Sequence, residues 1–290
     1  MTTAHALRTL LSRPEIAVAP GAYDGITAKM VEAAGFGCIY MTGAGVAAAR
    51  GFPDYGLLCM SEMAEAAGVL ARSVAVPVIA DADTGYGNEL NVTRTVREYE
   101  MRGVAGLHIE DQVAPKRCGH LDGKEVIPRG QFIAKIRAAV AARRDADFLV
   151  IARTDARAMI GLDEAVLRAR EALAAGADMA FVEAAQSLEE LAAIPRLVAG
   201  PCLLNIVRGG KTPDIGLAAA QDMGYRLAIL PSLLIGAAAS ACEQALSALK
   251  STGQPPSSAH APGVAERFRR LGAGEWDALR TRFQAGEQAP

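Results

Sequence analysis

Residues 102–111, RGVAGLHIED, contain in ten positions a pattern that repeats along the chain. Gly103 follows a helical stretch and ends it, because glycine accepts the left-handed conformation that closes a helix. A short apolar run at 106–109 then reads as a buried strand, and two carboxylates, Glu110 and Asp111, stand at its C-terminal end. The same order recurs at AGF, AGA and MGY, where Gly35, Gly176 and Gly224 each precede an apolar run. Strand-like runs lie at 16–19, 38–41, 76–80, 106–109, 148–152, 179–182, 202–206 and 227–230. Helical stretches at 24–34, 61–73, 91–102, 131–142, 163–175 and 187–198 alternate with them. Apolar strands joined by helices imply a parallel sheet buried on both faces, and eight such units close into a (β/α)8 TIM-type barrel, an α/β fold. A doubly wound open sheet is the alternative, but no GxGxxG follows the first run.

The 290 residues, 51% hydrophobic and 21% charged, suffice for one large core. Net charge is −2, with both signs dispersed and few aromatics, so no basic footprint for nucleic acid is present. No apolar run reaches membrane-spanning length, and the first 16 residues read as an amphipathic helix broken at Pro14 rather than as a signal peptide. Five cysteines form no CxxC pair, as expected for reduced thiols in a cytoplasmic protein. The organisation expected is a barrel with an N-terminal helix over residues 1–252. A Pro/Ser/Gly linker from 253 to 263 then leads into a helical tail ending at 290. That tail, with Phe268, Leu271, Trp276, Leu279 and Phe283 as its apolar face, is a candidate to pack on its own barrel or on a neighbouring subunit.

Polar residues stand at nearly every strand end: Tyr23-Asp24, Thr42-Gly43, Asp81 to Asp83, Glu110-Asp111, Arg153-Thr154-Asp155, Glu183, Asn205 and Pro231-Ser232. In a barrel those ends converge on one face, where such folds keep their chemistry. Helix N-capping accounts for Asp24 and Ser232, but poorly for Arg153, Glu183 or the Asp81/Asp83 pair. In a strand, Asp81 and Asp83 would point the same way. With Asp54 and Glu110 they make four acidic groups whose mutual repulsion a hard cation such as Mg2+ relieves. Arg153 and Asn205 suit a substrate carboxylate; His108 is either near the substrate or a satisfied core residue. After the fourth strand, residues 108–120 (HIEDQVAPKRCGH) place Cys118 among Lys116, Arg117 and His120, a setting that favours the thiolate. Gly119 and Gly123 give residues 115–124 the composition of a mobile lid. A charged, solvated loop with a chance cysteine is the plainer reading.

The motifs PGAYDGITAK, YMTGAG, GFPDYG, DADTGYG, HIEDQVAPKRCGHLDGK, ARTDAR, FVEA and NIVRGGKTP resemble the isocitrate lyase/phosphoenolpyruvate mutase superfamily, from about residue 7 to 249. Specifically, they resemble its short bacterial branch of 2-methylisocitrate lyases, 2,3-dimethylmalate lyases and carboxyphosphoenolpyruvate phosphonomutases. The resemblance implies a barrel whose last helix is swapped with a neighbour in a homo-oligomer, a dimer of dimers. It implies Mg2+, with Mn2+ as the alternative, held directly by Asp81, and by Asp54, Asp83 and Glu110 mostly through water. Tyr40, Thr42, Gly43, Ala44, Arg153, Glu183 and Asn205 would bind a small-molecule carboxylate, with Lys116, Cys118, Gly119 and His120 closing over it. The expected reaction is cleavage of a 2-hydroxy di- or tricarboxylate, with Cys118 as general acid and Tyr40 as the candidate base. A phosphonomutase, an oxaloacetate decarboxylase or hydrolase, and a non-catalytic metal-binding barrel are the alternatives. Arg208, where relatives carry glutamate, is expected to meet an extra substrate anion or a site carboxylate. Phe181, Ile206 and Leu230 are the positional candidates for the substrate's side-chain pocket.

Overall fold

The computed structural model describes residues 2–256 and 263–284. In chain order its first elements are α1 (Thr3–Leu11), β1 (Ala17–Ala22), α2 (Gly25–Ala33), β2 (Ile39–Met41), α3 (Gly43–Ala49), α4 (Met60–Ser73) and β3 (Val78–Asp81). Then come α5 (Glu89–Met101), β4 (Gly106–Glu110), α6 (Arg129–Ala142), β5 (Leu149–Thr154), α7 (Ala156–Met159), α8 (Leu162–Ala174) and β6 (Met179–Val182). The last are α9 (Leu188–Val198), β7 (Cys202–Asn205), α10 (Leu217–Asp222), β8 (Leu227–Leu230), α11 (Leu233–Thr252), α12 (Val264–Arg270) and α13 (Ala273–Gln284). The eight strands pair in parallel and in order, and β8 pairs with β1, so the sheet closes as the alternating pattern required.

The helices start and stop where their chemistry directs. Asp24 caps α2, its Oδ1 accepting the Thr27 amide at 2.8 Å. Gly103, at φ 84°, turns the chain out of α5 and into β4. Inside the barrel the residues alternate with the strand pleat. Ile79, Leu149, Ile151, Met179, Leu203 and Leu227 belong to one buried cluster with Leu7 of α1. The alternate residues, such as Val78, Ala80 and Val150, belong to a second cluster shared with the surrounding helices.

Helix α1 closes the N-terminal end of the barrel. Thr3 donates to the Gly103 carbonyl, Arg8 donates to the Asp147 carbonyl and pairs with Asp178, and Arg226 donates to the Leu11 carbonyl. Gly103, Asp147, Asp178 and Arg226 each stand just ahead of a strand, which places α1 opposite the strand ends that carry the polar residues.

The chain divides into two compact units, Met1–Gly236 and Ala237–Pro290. The division thus falls within α11 rather than after residue 252, because the composition change at Gly253 marks a helix end and α11 buries none of its residues. In the second unit the expected single tail helix is two helices, parted near Gly272 (φ 93°), and much of the expected linker lies outside the described residues. Among the described residues no helix is long and apolar enough to cross a membrane.

Leu7 is fully buried beneath the barrel interior. Leu7→Ala is expected to lower stability by about 2–5 kcal/mol, measured by chemical denaturation, because the closed barrel cannot collapse around the lost volume. Turnover at 25 °C should stay within about twofold, since the change lies at the opposite end from the polar strand ends.

Candidate active site

The pleat decides which residue of each strand end faces inward. The interior row running through Ile79, Ile151, Phe181, Leu203 and Ile229 continues, two residues on, to Asp81, Arg153, Glu183, Asn205 and Pro231. The alternate row turns toward the helices: Thr154 donates to Asp111 Oδ2 at 2.6 Å, and Arg168 of α8 pairs with that same oxygen at 3.0 Å. The inward residues line a cavity of about 150 Å³ together with Tyr40, Thr42, Ala44, Asp54, Cys118, Gly119, His120, Val207, Ser232 and Ile235.

Buried charge dominates this end. Arg153 reaches Glu110 at 3.0 Å, Asp155 at 3.0 Å and Glu183 at 3.5 Å. Lys116, 3% exposed, bridges Asp54 and Asp83, the latter at 2.9 Å. Two side-chain cations therefore neutralise much of the carboxylate charge that the sequence reading assigned to a metal. Asp83 is not in the strand: it lies past β3 with φ 45°, and its amide donates to Asp81 Oδ1 at 2.9 Å. A left-handed turn, not the pleat, brings the pair together, at the cost of a sparsely populated backbone conformation. Burial works to raise the Asp81 pKa, but His108, Lys116 and Arg153 overcome it and hold the group at about 2. Burial, with Asp81 and Asp54 nearby, pushes Asp83 up to about 6.

Burial also raises Glu110 well above the usual carboxylate range, and its Oε1 is buried with no hydrogen-bond partner among the described residues. An orphaned carboxylate oxygen of this kind suits a hard cation or its water shell. No group of three or more His, Cys, Asp or Glu side chains among the described residues is arranged to hold a metal by itself. Asp81 and the orphaned Glu110 oxygen fit a divalent ion that takes one or two carboxylates and completes its shell with water.

His108 and Tyr40 form the floor. His108 is fully buried between Tyr40 and Phe181, and its Nε2 lies 2.8 Å from the Tyr40 hydroxyl and 3.6 Å from Asp81. Burial lowers its pKa to about 4, so it is neutral near pH 7 and stands behind the cavity wall. Burial, with Asp81 next, holds the Tyr40 phenol well above its ordinary value. That environment opposes the base role expected of Tyr40 and keeps it a hydrogen-bond donor.

The loop carrying Cys118 is tied at its base by a bridge between Gln112 and Val126. Gly119 presses against the barrel: a Cβ there would come within 2.6 Å of Arg153 Nη2 and of Glu183 Cγ. The loop after β7 grips it from the other side. The Lys211 amide donates to His120 Nδ1 at 3.1 Å, which leaves the proton of neutral His120 on Nε2. That nitrogen faces Asn205 at 3.4 Å and Glu183 at 3.5 Å.

The expected thiolate is corrected. Burial, with Asp54 and Glu183 adding to it, raises the Cys118 pKa above that of an ordinary thiol, while Lys116 is committed to Asp54 and Asp83 and Arg117 is exposed and stacks over Tyr55. A protonated thiol faces the cavity.

Of the other expected residues, Gly43 lies behind Asp81, where a Cβ would strike that carboxylate. Arg208 is exposed, does not line the cavity, and forms no ion pair among the described residues; Lys211 makes its loop's contact with the site. Phe181 packs in the barrel interior and Ile206 toward the helices, so Val207 and Ile235 provide the apolar wall instead. Nothing in the local sequence marks Val207 or Ile235. The ARTDAR motif did carry a signal for Asp155, as a third residue beyond Arg153.

Comparison with known proteins agrees with this geometry. Residues 7–250 match the family described as Phosphoenolpyruvate phosphomutase. The chain is 46% identical over 251 residues to 2,3-dimethylmalate lyase of Eubacterium barkeri, covering 86% of this chain and 87% of that protein. It is also 46% identical over 240 residues to 2-methylisocitrate lyase of Aeropyrum pernix, covering 83% and 77%. Among solved structures, oxaloacetate acetylhydrolase with 3,3-difluorooxalacetate superposes with a TM-score of 0.93 at 39% identity, covering 100% of this chain and 99% of that one. Phosphonopyruvate hydrolase with oxalate and Mg2+ superposes with a TM-score of 0.89 at 32% identity, covering 98% and 100%.

Cys118 should behave as a slow thiol. Near pH 8, iodoacetamide is expected to modify exposed Cys59 well before Cys118, as read by peptide mass spectrometry. The Cys118 rate should keep rising as pH passes the ordinary thiol pKa, since a raised pKa delays thiolate formation. A Cys118 rate already at its plateau by pH 8 would contradict the buried, protonated thiol.

Proposed function

The chain belongs to the phosphoenolpyruvate phosphomutase family, within the PEP mutase/isocitrate lyase superfamily, and from that premise we propose that it is a carbon–carbon lyase. Its substrate is a 2-hydroxy di- or tricarboxylate of the 2-alkylmalate or 2-methylisocitrate kind, and its products are an α-keto acid such as pyruvate and a carboxylate such as propionate or succinate. The observation that carries this reading is the half-buried Cys118 thiol lining a small cavity together with Arg153, Glu183 and Asn205. A space of about 150 Å³ is the size of an engineered cavity that takes benzene, so it suits a compact acid.

Asp81 would hold a divalent ion, with Asp54, Asp83 and Glu110 supporting it through water; Mg2+ is the first choice and Mn2+ the alternative. When bound, such an ion supplies positive charge to the substrate's hydroxyl and carboxylate and lowers the hydroxyl pKa. The residues of the chain do the rest. Arg153 and Asn205 orient the carboxylate, while His120 presents its Nε2 proton to the same end. Loss of the hydroxyl proton to water turns that carbon into a carbonyl and breaks the bond between C2 and C3, and water returns a proton to Cys118 after product release. The bonding pair passes onto C3 beside its carboxylate, and the Cys118 S–H gives its proton to C3. Closure of the Cys118 loop keeps water away from that carbanionic centre. A phosphoryl mutase has no carbanion to protonate, so the buried thiol favours the lyase. Hydrolysis of oxaloacetate is the second reading, favoured by the likeness to oxaloacetate acetylhydrolase.

The same reading makes the protein a cytoplasmic homo-oligomer, a dimer of dimers with exchanged helices, acting without nucleic acid or membrane. Its support is the five free cysteines and the exposure of Leu246, Phe268 and Trp276 on the helices of the second unit.

A coupled assay should show Mg2+-dependent pyruvate release from 2,3-dimethylmalate or 2-methylisocitrate, abolished by EDTA and restored by Mg2+. Cys118→Ser is expected to lower kcat by about 10²-fold or more, the scale of a lost general acid. Turnover of oxaloacetate alone, indifferent to Cys118, would instead establish the hydrolase. Because Arg208 is exposed and does not line the cavity, Arg208→Glu should leave the substrate profile unchanged within about threefold.

A further inference from the structure

Lys124 ends the loop that begins after β4, and its side chain has no solvent exposure. Its ammonium donates to the carbonyl of Gly119 and, at 2.8 Å, to Asp155 Oδ1. The loop is thereby fastened beside Cys118 by one buried charge whose other end rests on the barrel. Asp155 is in turn anchored. Its carboxylate takes Arg153 Nε at 3.0 Å and Nη2 at 3.3 Å, and its amide donates to Asp111 Oδ1 at 2.8 Å. Asp111 accepts Thr154 and pairs with Arg168 of α8.

We propose that Lys124 is a positioning residue that fastens the Cys118 loop in its closed place and couples that closure to the orientation of Arg153. The proposal rests on Cys118 being the proton donor, and goes beyond it by naming what sets the thiol's position.

The physical argument is the cost of a buried ammonium. A lysine charge taken out of water needs a full set of acceptors, and the Gly119 carbonyl is one of the two it has among the described residues. Lifting the loop removes that acceptor and leaves a desolvated cation facing Asp155 alone, so the closed arrangement is favoured. Displacing Lys124 also leaves Asp155, among the described residues, with Arg153 as its one side-chain cation, and Arg153 is then drawn from Glu110 and Glu183 toward it. Lys116 holds the loop ahead of Cys118 through its own buried pairs with Asp54 and Asp83, whereas past Cys118 the other ion pair is weaker. Lys211 pairs with Asp122 at 2.5 Å, but the Asp122 side chain is 94% exposed, where water and salt screen the pair. Lys124 is therefore the buried clasp on the Gly119 side of Cys118, as Lys116 is on the other.

The test uses the full chain and two substitutions, Lys124→Met and Lys124→Arg, with melting temperature, kcat, KM and the rate of Cys118 alkylation by iodoacetamide measured for each. Lys124→Met is expected to lower kcat by about 100-fold with KM within about fivefold, and to speed Cys118 alkylation at least tenfold while the Cys59 rate stays unchanged. Lys124→Arg keeps a cation toward Asp155 and should recover at least a tenth of the wild-type kcat together with slow alkylation. Equal losses of kcat in both forms, with Cys118 alkylated as slowly as in the wild type, would make Lys124 merely structural and overturn the proposal. Unchanged kcat and alkylation in Lys124→Met would do the same. If Lys124→Met does not fold, Lys124→Gln, which keeps a polar group for both acceptors, is read by the same alkylation criterion. The alkylation arm needs no substrate. Should wild type and Cys118→Ser turn over alike, the lyase reading fails while the fastening role is still decided.

Discussion

A single buried guanidinium joins the acidic end of the barrel. Arg153 meets Glu110 from β4, Asp155 just past β5 and Glu183 just past β6. Each of those carboxylates is desolvated, and without a cation among them their charges would not remain buried. Removing one partner from such a cluster leaves an uncompensated charge, a loss of about 3–5 kcal/mol, which exceeds what any exposed ion pair here contributes. The strand ends are held at their spacing by this arrangement. A parallel barrel supplies it because neighbouring strands in register set their inward residues side by side: Glu110 pairs with Arg153 across β4 and β5.

The loop over the cavity depends on the same centre. Gly119 fits only because it carries no side chain against Arg153 and Glu183, and Gly210 because a Cβ there would lie 2.6 Å from His120 Nδ1. These close approaches shield much of Cys118 from solvent, and that burial raises its pKa. The chemistry follows from the burial. A thiolate would be a nucleophile, whereas a buried thiol is an acid suited to a carbanion.

Membership of a superfamily with several chemistries narrows the reaction class without choosing the substrate. The cavity adds a physical constraint. Its charged side is built from strand ends common to the barrel, whereas Val207 and Ser232 come from the connections after β7 and β8 and Ile235 from the first turn of α11. Variation in loops rather than strands is the usual way a barrel changes substrate.

The amino-acid sequence alone determined the order of strands and helices, the closure of eight units into a barrel, and the inward residues of several strands. These properties rest on local periodicity and on the pleat, which a linear reading captures. Asp81, Arg153, Glu183 and Asn205 were legible for that reason, and KRCGH marked the loop. Tertiary structure alone decided what their environments are. Lys116 lies between Asp54 and Asp83, Asp83 turns through a left-handed residue, Arg208 faces solvent, and Lys124 reaches back to Gly119 and Asp155. The protonation of Cys118 and Tyr40 belongs to the same class. Desolvation and charge pairing depend on which segments close over a group, and segments far apart in the chain leave no periodic trace of that meeting.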